Sequence, residues 1–201
     1  MRFIEDMRKY FDRQVKVKEK LHLLSAKVVR NSSRAIAALH RGEKDSFKRF
    51  FSLAKKNLKN LEKLVEKEPE ISSSGSVFSA RQEVAEAALL AGILDGGKLL
   101  PPEEIGVAYG PYLAALADVA GELRRVILDS LRRNQVDVAK KMLETMEKIA
   151  EIMMEFDYAD SVIPGMKKRQ DFVRQILEKS RGDVTVAIRQ ERLEKILGER
   201  K

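Results

Sequence analysis

The sequence predicts an all-α protein, built as a single-domain bundle of about seven helices. Ala, Leu, Lys, Glu and Arg dominate its 201 residues, and the alternating pattern that is typical of strands is almost absent. Glycine (11), proline (5) and aromatic residues (6%) are scarce, so little interrupts a long helix. A chain of this length suits one domain with a real core, and we expect residues 1–201 to form it.

The first two predicted helices are long and amphipathic. The first covers about residues 4–41, because apolar residues recur there at helical spacing and no Pro or Gly interrupts them. Gly42 stands where a helix C-cap is expected. The second helix covers about residues 44–68, and Pro69 with the Ser-Ser-Ser-Gly run behind it ends that helix.

The third predicted helix, over about residues 76–94, is apolar on nearly all sides. After Arg81 and Gln82 its only charged residues are Glu83 and Glu86, and Val, Ala, Leu and Ile surround them. A helix with this composition is buried over most of its surface. The sequence therefore places two carboxylates in a segment that we expect to lie inside the protein.

Four further helices are predicted in the second half of the chain. The fourth begins at Pro111, a favourable first-turn residue, and its apolar stretch contains Asp118 and Glu122. It ends near residue 133, and the remaining three cover about 136–158, 164–180 and 183–197, with Gly182-Asp183 as the cap of the last one.

The net charge of +8 is unevenly distributed along the chain. Residues 1–60 contain 17 Lys/Arg against 6 Asp/Glu, residues 71–160 contain 9 against 15, and residues 161–201 contain 11 against 6. Basic regions that flank an acidic middle would attract phosphate backbones. Lysines that only solvate long helices would give the same balance, so charge alone leaves both interpretations open.

Several classes of protein are disfavoured by what the sequence lacks. Without cysteine there is no disulfide, no Cys-ligated zinc and no thiol nucleophile, and a reducing cytoplasmic location is the simplest expectation. No apolar stretch approaches the roughly 20 residues that span a bilayer, so we expect no membrane association. The N-terminus lacks a signal-peptide core, and no Gly-rich phosphate loop, Ser-His-Asp set or HExxH motif is present.

Four acidic residues form the main candidate site. Glu83 and Glu86 are three residues apart, and Asp118 and Glu122 are four apart, so each pair shares one helix face. Buried carboxylates are costly unless they are paired, hydrogen-bonded or bound to metal. If the two faces meet, the four carboxylates need a cation, and all-oxygen ligation favours Mg²⁺ or Mn²⁺.

These acids allow two other interpretations. They could form salt bridges, for which Arg81, Arg124 and Arg125 are available. They could also belong to a ferritin-like di-iron bundle, which requires a Glu-x-x-His pair on each of two helices. The chain has only two histidines, and His40 has no glutamate three residues before it, so we do not expect a di-iron site.

Several segments resemble the translin/Trax family. Residues 82–87 are similar to its Gln-Glu-x-x-Glu-Ala segment, and residues 112–113 with 117–124 to its Tyr-Leu and Ala-Asp-Leu-x-Gly-Glu-Leu segments. Ser33-Arg34 with Leu39-His40-Arg41 resembles a stretch of its first helix, and residues 167–171 and 180–182 stand where the family has its last basic helices. The resemblance covers most of the chain, and the Asp-x-x-Gly-Glu-Leu segment is its most specific part.

The resemblance implies a function and an assembly. In this family translin proper binds single-stranded RNA and DNA without the acidic set, whereas the Trax branch carries the set and cuts RNA with Mg²⁺. All four acids are present, so the chain resembles the Trax branch. It is shorter than the eukaryotic subunits and in this resembles a prokaryotic or archaeal homologue that works alone. This implies a Mg²⁺- or Mn²⁺-dependent endoribonuclease that acts on single-stranded RNA and assembles as a homo-oligomer, an octamer in the family.

The residues predicted to carry this function fall into two sets. The catalytic and metal-binding set is Glu83, Glu86, Asp118 and Glu122, and the set expected to contact phosphates is Arg34, His40, Arg41, Arg124 and Arg125. Two alternatives stay open at this point. One is a non-catalytic oligomer of the translin type that binds single-stranded RNA or DNA, and the other is a helical scaffold whose acids pair with arginines.

Overall fold

The computed structural model describes residues 1–198, and every regular element within that range is helical. This confirms the predicted all-α fold. The elements are α1 (Arg2–His40), α2 (Lys44–Lys67), a 3₁₀ turn (Pro69–Ile71), α3 (Gly75–Gly96), α4 (Pro102–Ile105), α5 (Tyr109–Leu131), α6 (Val136–Met154) and α7 (Met166–Gly198). Within residues 1–198 no helix combines the length and the apolar character needed to cross a membrane.

The chain divides into two compact units. Unit 1 consists of Met1–Ala91 together with Leu100–Tyr112, and unit 2 of Gly92–Leu99 together with the residues from Leu113 onward. The division falls inside α3 and inside α5. A single domain over residues 1–201 stays a prediction.

A tight turn joins the two long helices of unit 1. Gly42, with a φ of 71°, takes the left-handed conformation that ends α1. Its N–H donates to the Leu39 carbonyl at 2.9 Å, and the N–H of Glu43 donates to the Ala38 carbonyl at 2.9 Å. These two bonds satisfy carbonyls at the end of α1 and turn the chain into α2, as the predicted C-cap requires.

The core of unit 1 lies where α1 and α2 pack along each other and against α3. The buried apolar residues of this core are Val17, Leu21, Val28, Ala54, Leu58, Leu61, Leu64, Ile71, Val77, Ala80 and Val84. On α1 and α2 they recur at the three- and four-residue spacing that predicted these helices.

The middle of α3 is buried, as its composition predicts. All seven residues from Val84 to Leu90 are buried, including Glu86. Because residues on every side of the helix are buried in this stretch, Glu86 lies in apolar surroundings.

The predicted division of the C-terminal region is wrong. One helix, α7, runs without interruption from Met166 to Gly198 and passes through Gly182, which was expected to cap a separate helix. Glycine lowers helix stability by about 1 kcal/mol relative to alanine but does not by itself end a helix. Here Val184 and Ser180, on either side of Gly182, are both buried, so packing holds this part of α7 helical.

Two other boundaries differ from the prediction. Helix α6 ends at Met154, four residues before Tyr158, and the loop that follows leads to Pro164. The short helix α4 was not predicted, because the Pro101-Pro102 pair indicates a loop, although a proline in the first helical turn is favourable.

Candidate functional site

Helix α3 presents the first acidic pair, which lies in unit 1. Glu83 and Glu86 are one turn apart, so they stand on the same side of the helix. Glu86 is buried, with 8% of its surface exposed, and Glu83 is half-buried. Val84, Ala85, Ala87 and Ala88 around them are buried and apolar, so the pair interrupts a packed surface.

Helix α1 contacts this pair through a hydroxyl. Ser33 Oγ lies 3.3 Å from Glu83 Oε2 and donates to it. The same hydroxyl lies 3.0 Å from the Val29 carbonyl of its own helix. Because a serine hydroxyl carries one proton, it donates to one of these acceptors at a time.

Helix α5 presents the second acidic pair, which lies in unit 2. Asp118 and Glu122 are both half-buried and are separated by about one turn. Gly121 stands between them, and the ring of Phe172 on α7 approaches within 3.7 Å of the place where a side chain would begin. The second pair is therefore also set in a packed helix.

The positions of the arginines bear on the salt-bridge interpretation of the acidic residues. In unit 1, Arg81 donates to both carboxylate oxygens of Glu62, at 2.8 and 2.7 Å. In unit 2, Arg124 donates to Asp183 at 3.0 Å. Two of the three arginines that this interpretation assigns to the acidic residues thus form ion pairs with other carboxylates.

The acidic residues have the right donor type for a hard cation. Carboxylate oxygens suit Mg²⁺ or Mn²⁺, and Mg²⁺ in proteins is held by one or two carboxylates together with waters and substrate phosphates. Each unit offers such a pair. Among residues 1–198, no group of three or more His, Asp or Glu side chains is arranged to hold a metal ion. Convergence of all four acids on one ion stays a prediction.

The predicted phosphate contacts occupy different surroundings. Arg34 is exposed on α1, and His40 is the half-buried last residue of that helix. Arg41 is exposed and forms an ion pair with Glu43 at 2.6 Å, and this hydrogen bond raises the pKa of Arg41 above its usual value. Arg125 is exposed on α5 and lines an open groove of unit 2 with a volume of about 1150 Å³.

Arg124 is less accessible than predicted. Besides its ion pair with Asp183, it donates to Ser180 Oγ at 3.0 Å, and 23% of its side chain is exposed. Ser180 and Asp183 lie on α7, so the guanidinium joins α5 to α7 within unit 2. This gives Arg124 a structural role beside the predicted phosphate contact.

The structure adds two residues that the sequence did not single out. Arg49 and Phe50, adjacent on α2, meet Arg34 of α1: the guanidinium carbon of Arg34 lies 5.6 Å from the centre of the Phe50 ring, and that of Arg49 lies 4.7 Å from it. We call Arg34, Arg49 and Phe50 the arginine–phenylalanine cluster. Arg34 precedes Arg49 by 15 residues and Phe50 by 16. Helix periodicity alone does not show which exposed faces of α1 and α2 adjoin.

Comparisons with known proteins agree with the fold and the segments described above. A family model described as the Translin family matches residues 16–182. An uncharacterized protein of Methanocaldococcus jannaschii is 30% identical over 181 residues, which cover 89% of this chain and 80% of that protein.

Solved structures share the fold of this chain. The structure of AfC3PO is similar with a TM-score of 0.83 and 29% identity, covering 93% of this chain and 97% of that chain. AfC3PO in complex with duplex RNA is similar with a TM-score of 0.72 and 28% identity, covering 93% and 96%. Apo-NeC3PO shares the fold, with a TM-score of 0.83 and 20% identity over 92% and 96%.

Proposed function

The chain belongs to the translin family, and from this we propose that it is a metal-dependent endoribonuclease that cuts single-stranded RNA. Its acidic residues in this role are Glu83, Glu86, Asp118 and Glu122. RNA as the ligand class is supported by the similar structure of AfC3PO, which was solved with duplex RNA. The preference for single strands and the cutting activity are inferences from the residues of this chain.

The burial of Glu86 carries the nuclease part of the proposal. Packing alone would fill the Val84–Leu90 stretch of α3 with apolar residues, because a charged group loses its hydration there. A carboxylate in this position, one turn after Glu83, is useful for holding a cation. The comparable spacing of Asp118 and Glu122 on α5 supplies a second pair of the same chemical type.

The chemistry of such a site follows from its donors. A Mg²⁺ ion held by these carboxylates would supply the positive charge that activates a water and stabilises the negative charge developing on the phosphoryl group. The carboxylates would hold the ion through oxygen and orient that water by hydrogen bonds. Ser33 donates to Glu83 and limits its rotation, so it acts as a positioning residue.

The basic surface of unit 1 supports the RNA-binding part. Residues 1–60 carry a net charge of +11, and the exposed cations of α1 and α2 include Lys27, Arg30, Arg34, Lys48 and Arg49. Such a surface attracts a phosphate backbone without regard to sequence, and its affinity falls as salt rises.

Cleavage of a labelled oligonucleotide tests the proposal. The full chain is incubated with a 5′-fluorescent single-stranded oligoribonucleotide in Mg²⁺ and, separately, in EDTA. We expect cleavage in Mg²⁺ and none in EDTA. In Glu86→Gln and in Asp118→Asn the cleavage rate should fall by a factor of about 100 or more. Glu151→Gln, on the exposed side of α6, is the matched control and keeps the wild-type rate.

The non-catalytic alternative gives a different result in the same experiment. It predicts salt-sensitive RNA binding that survives both substitutions and no cleavage in either buffer. A helical scaffold predicts that no RNA binds even at low salt. Cleavage that persists in EDTA, or that is equal in all variants, would refute the carboxylate-held metal.

Self-association is part of the proposal. The N-terminal part of α1 leaves Phe3, Met7 and Phe11 more than half exposed, in a row that continues the apolar side of this helix beyond its buried part. A contiguous exposed apolar row of this kind favours contact with another protein surface. We expect a light-scattering mass several times that of the 22.8 kDa chain, and a monomeric mass would contradict the assembly.

A further inference from the structure

We infer that the arginine–phenylalanine cluster is a binding site for an unpaired nucleotide of the RNA strand, a role that nothing in the family assignment gives to Arg49 or Phe50. The inference rests on the proposed function, since it names where that function's RNA is held. It concerns unit 1 alone, which contains all three residues and also Glu83.

The first argument is electrostatic. Arg34 and Arg49 are both exposed, and each places its guanidinium within about 6 Å of the same ring, the range of a cation–π contact. Two cations that share one ring repel each other, and an anion that contacts both relieves this repulsion. A phosphate fits this position, because guanidinium groups present planar pairs of donors that match phosphate oxygens.

The second argument is the aromatic ring itself. Phe50 is half-buried, so part of this residue is open to solvent beside the two guanidinium groups. Exposed aromatic rings and guanidinium planes are the groups on which proteins stack unpaired bases. A purely electrostatic surface needs no ring, so the combination favours a nucleotide over a simple anion and a single strand over a duplex.

The third argument is position. Arg34 follows Ser33 directly on α1, and Ser33 donates to Glu83. Successive residues of a helix differ by about 100° in direction, so the two side chains leave α1 on different sides, and the helix is only about 10 Å wide. A strand held at the cluster would cross the exposed face of α1, which carries Lys27 and Arg30, towards the acidic pair of α3.

Binding measurements with the full chain test the cluster. The probe is a fluorescent single-stranded oligouridylate, measured by anisotropy in EDTA so that no cleavage occurs. The variants are Arg49→Gln and Phe50→Leu, and the control is Lys59→Gln, which removes an exposed positive charge elsewhere on α2. Thermal unfolding of each variant, within a few degrees of wild type, shows that the fold is kept.

The two variants are expected to fail in different ways. Arg49→Gln weakens binding about tenfold. It also reduces the slope of log affinity against log salt by about 0.7, the value for one lost phosphate contact on a single strand. The control Lys59→Gln changes affinity less than about threefold. Phe50→Leu weakens oligouridylate binding about fivefold or more and leaves the binding of inorganic polyphosphate unchanged, because only the base stacks.

The remaining outcomes separate the failure of the cluster from the failure of the proposed function. If Arg49→Gln matches Lys59→Gln, or if Phe50→Leu weakens both probes alike, the cluster is not a nucleotide site, although the proposed function can still hold. If wild-type protein does not bind oligouridylate, both the function and the cluster fail. Binding that depends on the cluster without any cleavage in Mg²⁺ removes the nuclease and keeps the cluster.

Discussion

Ser33 on α1 and Glu83 on α3 are joined by a hydrogen bond of 3.3 Å between the serine hydroxyl and a carboxylate oxygen. The bond joins two residues that are 50 positions apart in sequence. It shows that the side of α3 that carries Glu83 faces α1 within unit 1. Both residues lie in segments that resemble the translin/Trax family. The contact gives those separate segments a common location.

Replacing Ser33 by alanine tests its role as a positioning residue. Without the hydroxyl, Glu83 gains rotational freedom, so we expect the Mg²⁺ concentration for half-maximal cleavage to rise about threefold. The free energy of unfolding should change by less than about 0.5 kcal/mol, because the site is exposed. Ser33→Thr, which keeps the hydroxyl, should restore the metal dependence. A loss of stability with unchanged metal dependence would show a structural role only.

The ion pair between Arg81 and Glu62 is expected to stabilise unit 1. It has two nearly parallel hydrogen bonds, and the side chains are 20% and 34% exposed, so water screens it only in part. Glu62→Gln should lower the free energy of unfolding by about 1 kcal/mol in urea denaturation. Glu66→Gln, an exposed acid on the same helix, should change it little. Equal effects of the two substitutions would contradict the contribution of this pair.

Tyr112 links stability to alkaline pH. Its hydroxyl donates to the Leu100 carbonyl at 2.9 Å, and burial, with a smaller contribution from Glu103, raises its pKa above the usual value of about 10. The unfolded chain loses this proton near pH 10, whereas the folded chain keeps it to higher pH. The stabilisation that Tyr112 contributes to the folded state is therefore complete below pH 10 and declines above it. Tyr112→Phe should cost about 1 kcal/mol at pH 8, and less at pH 11.

The pH series decides between this linkage and a simple packing effect. Urea denaturation of wild type and Tyr112→Phe at pH 8, 10 and 11 gives the difference in the free energy of unfolding at each pH. A difference that stays constant to pH 11 would show that the hydroxyl does not keep its proton in the folded chain.

Gly182 offers a test of the uninterrupted α7. It lies inside the helix, is exposed, and has no atom within 4 Å of the place where a Cβ would stand. Gly182→Ala should therefore raise the free energy of unfolding by about 0.5–1 kcal/mol, by improving helix propensity and reducing the freedom of the unfolded chain. Destabilisation in a thermal melt would indicate that Gly182 caps a separate helix, as the sequence predicts.

Local patterns were sufficient to predict much of the fold. The ends of α1 and α2 follow from Gly42 and Pro69, and the buried middle of α3 follows from its composition. The break at Gly182 was predicted wrongly, because sequence alone does not show that Ser180 and Val184 are packed on both sides of the glycine. Tertiary contacts override a weak local signal of this kind.

The candidate site was likewise predicted from the sequence only in part. The acidic pairs were identified because carboxylates in apolar helices are costly, and that reasoning needs only neighbouring residues. The partners of Arg81 and Arg124, Glu62 and Asp183, lie 19 and 59 residues away, and the contact of Arg34 with Phe50 depends on how α1 meets α2. No periodicity in the sequence encodes these distances.

The central claim is that the carboxylates of α3 and α5 serve one reaction. Single-turnover cleavage of a labelled single-stranded oligoribonucleotide in Mg²⁺, measured for Glu86→Gln, Asp118→Asn and the double variant, tests it most directly. If the acids act as one unit, each substitution lowers the rate about 100-fold and the double variant is hardly slower than either one. Wild-type rates in both single variants, or losses that multiply in the double variant, would contradict a shared site.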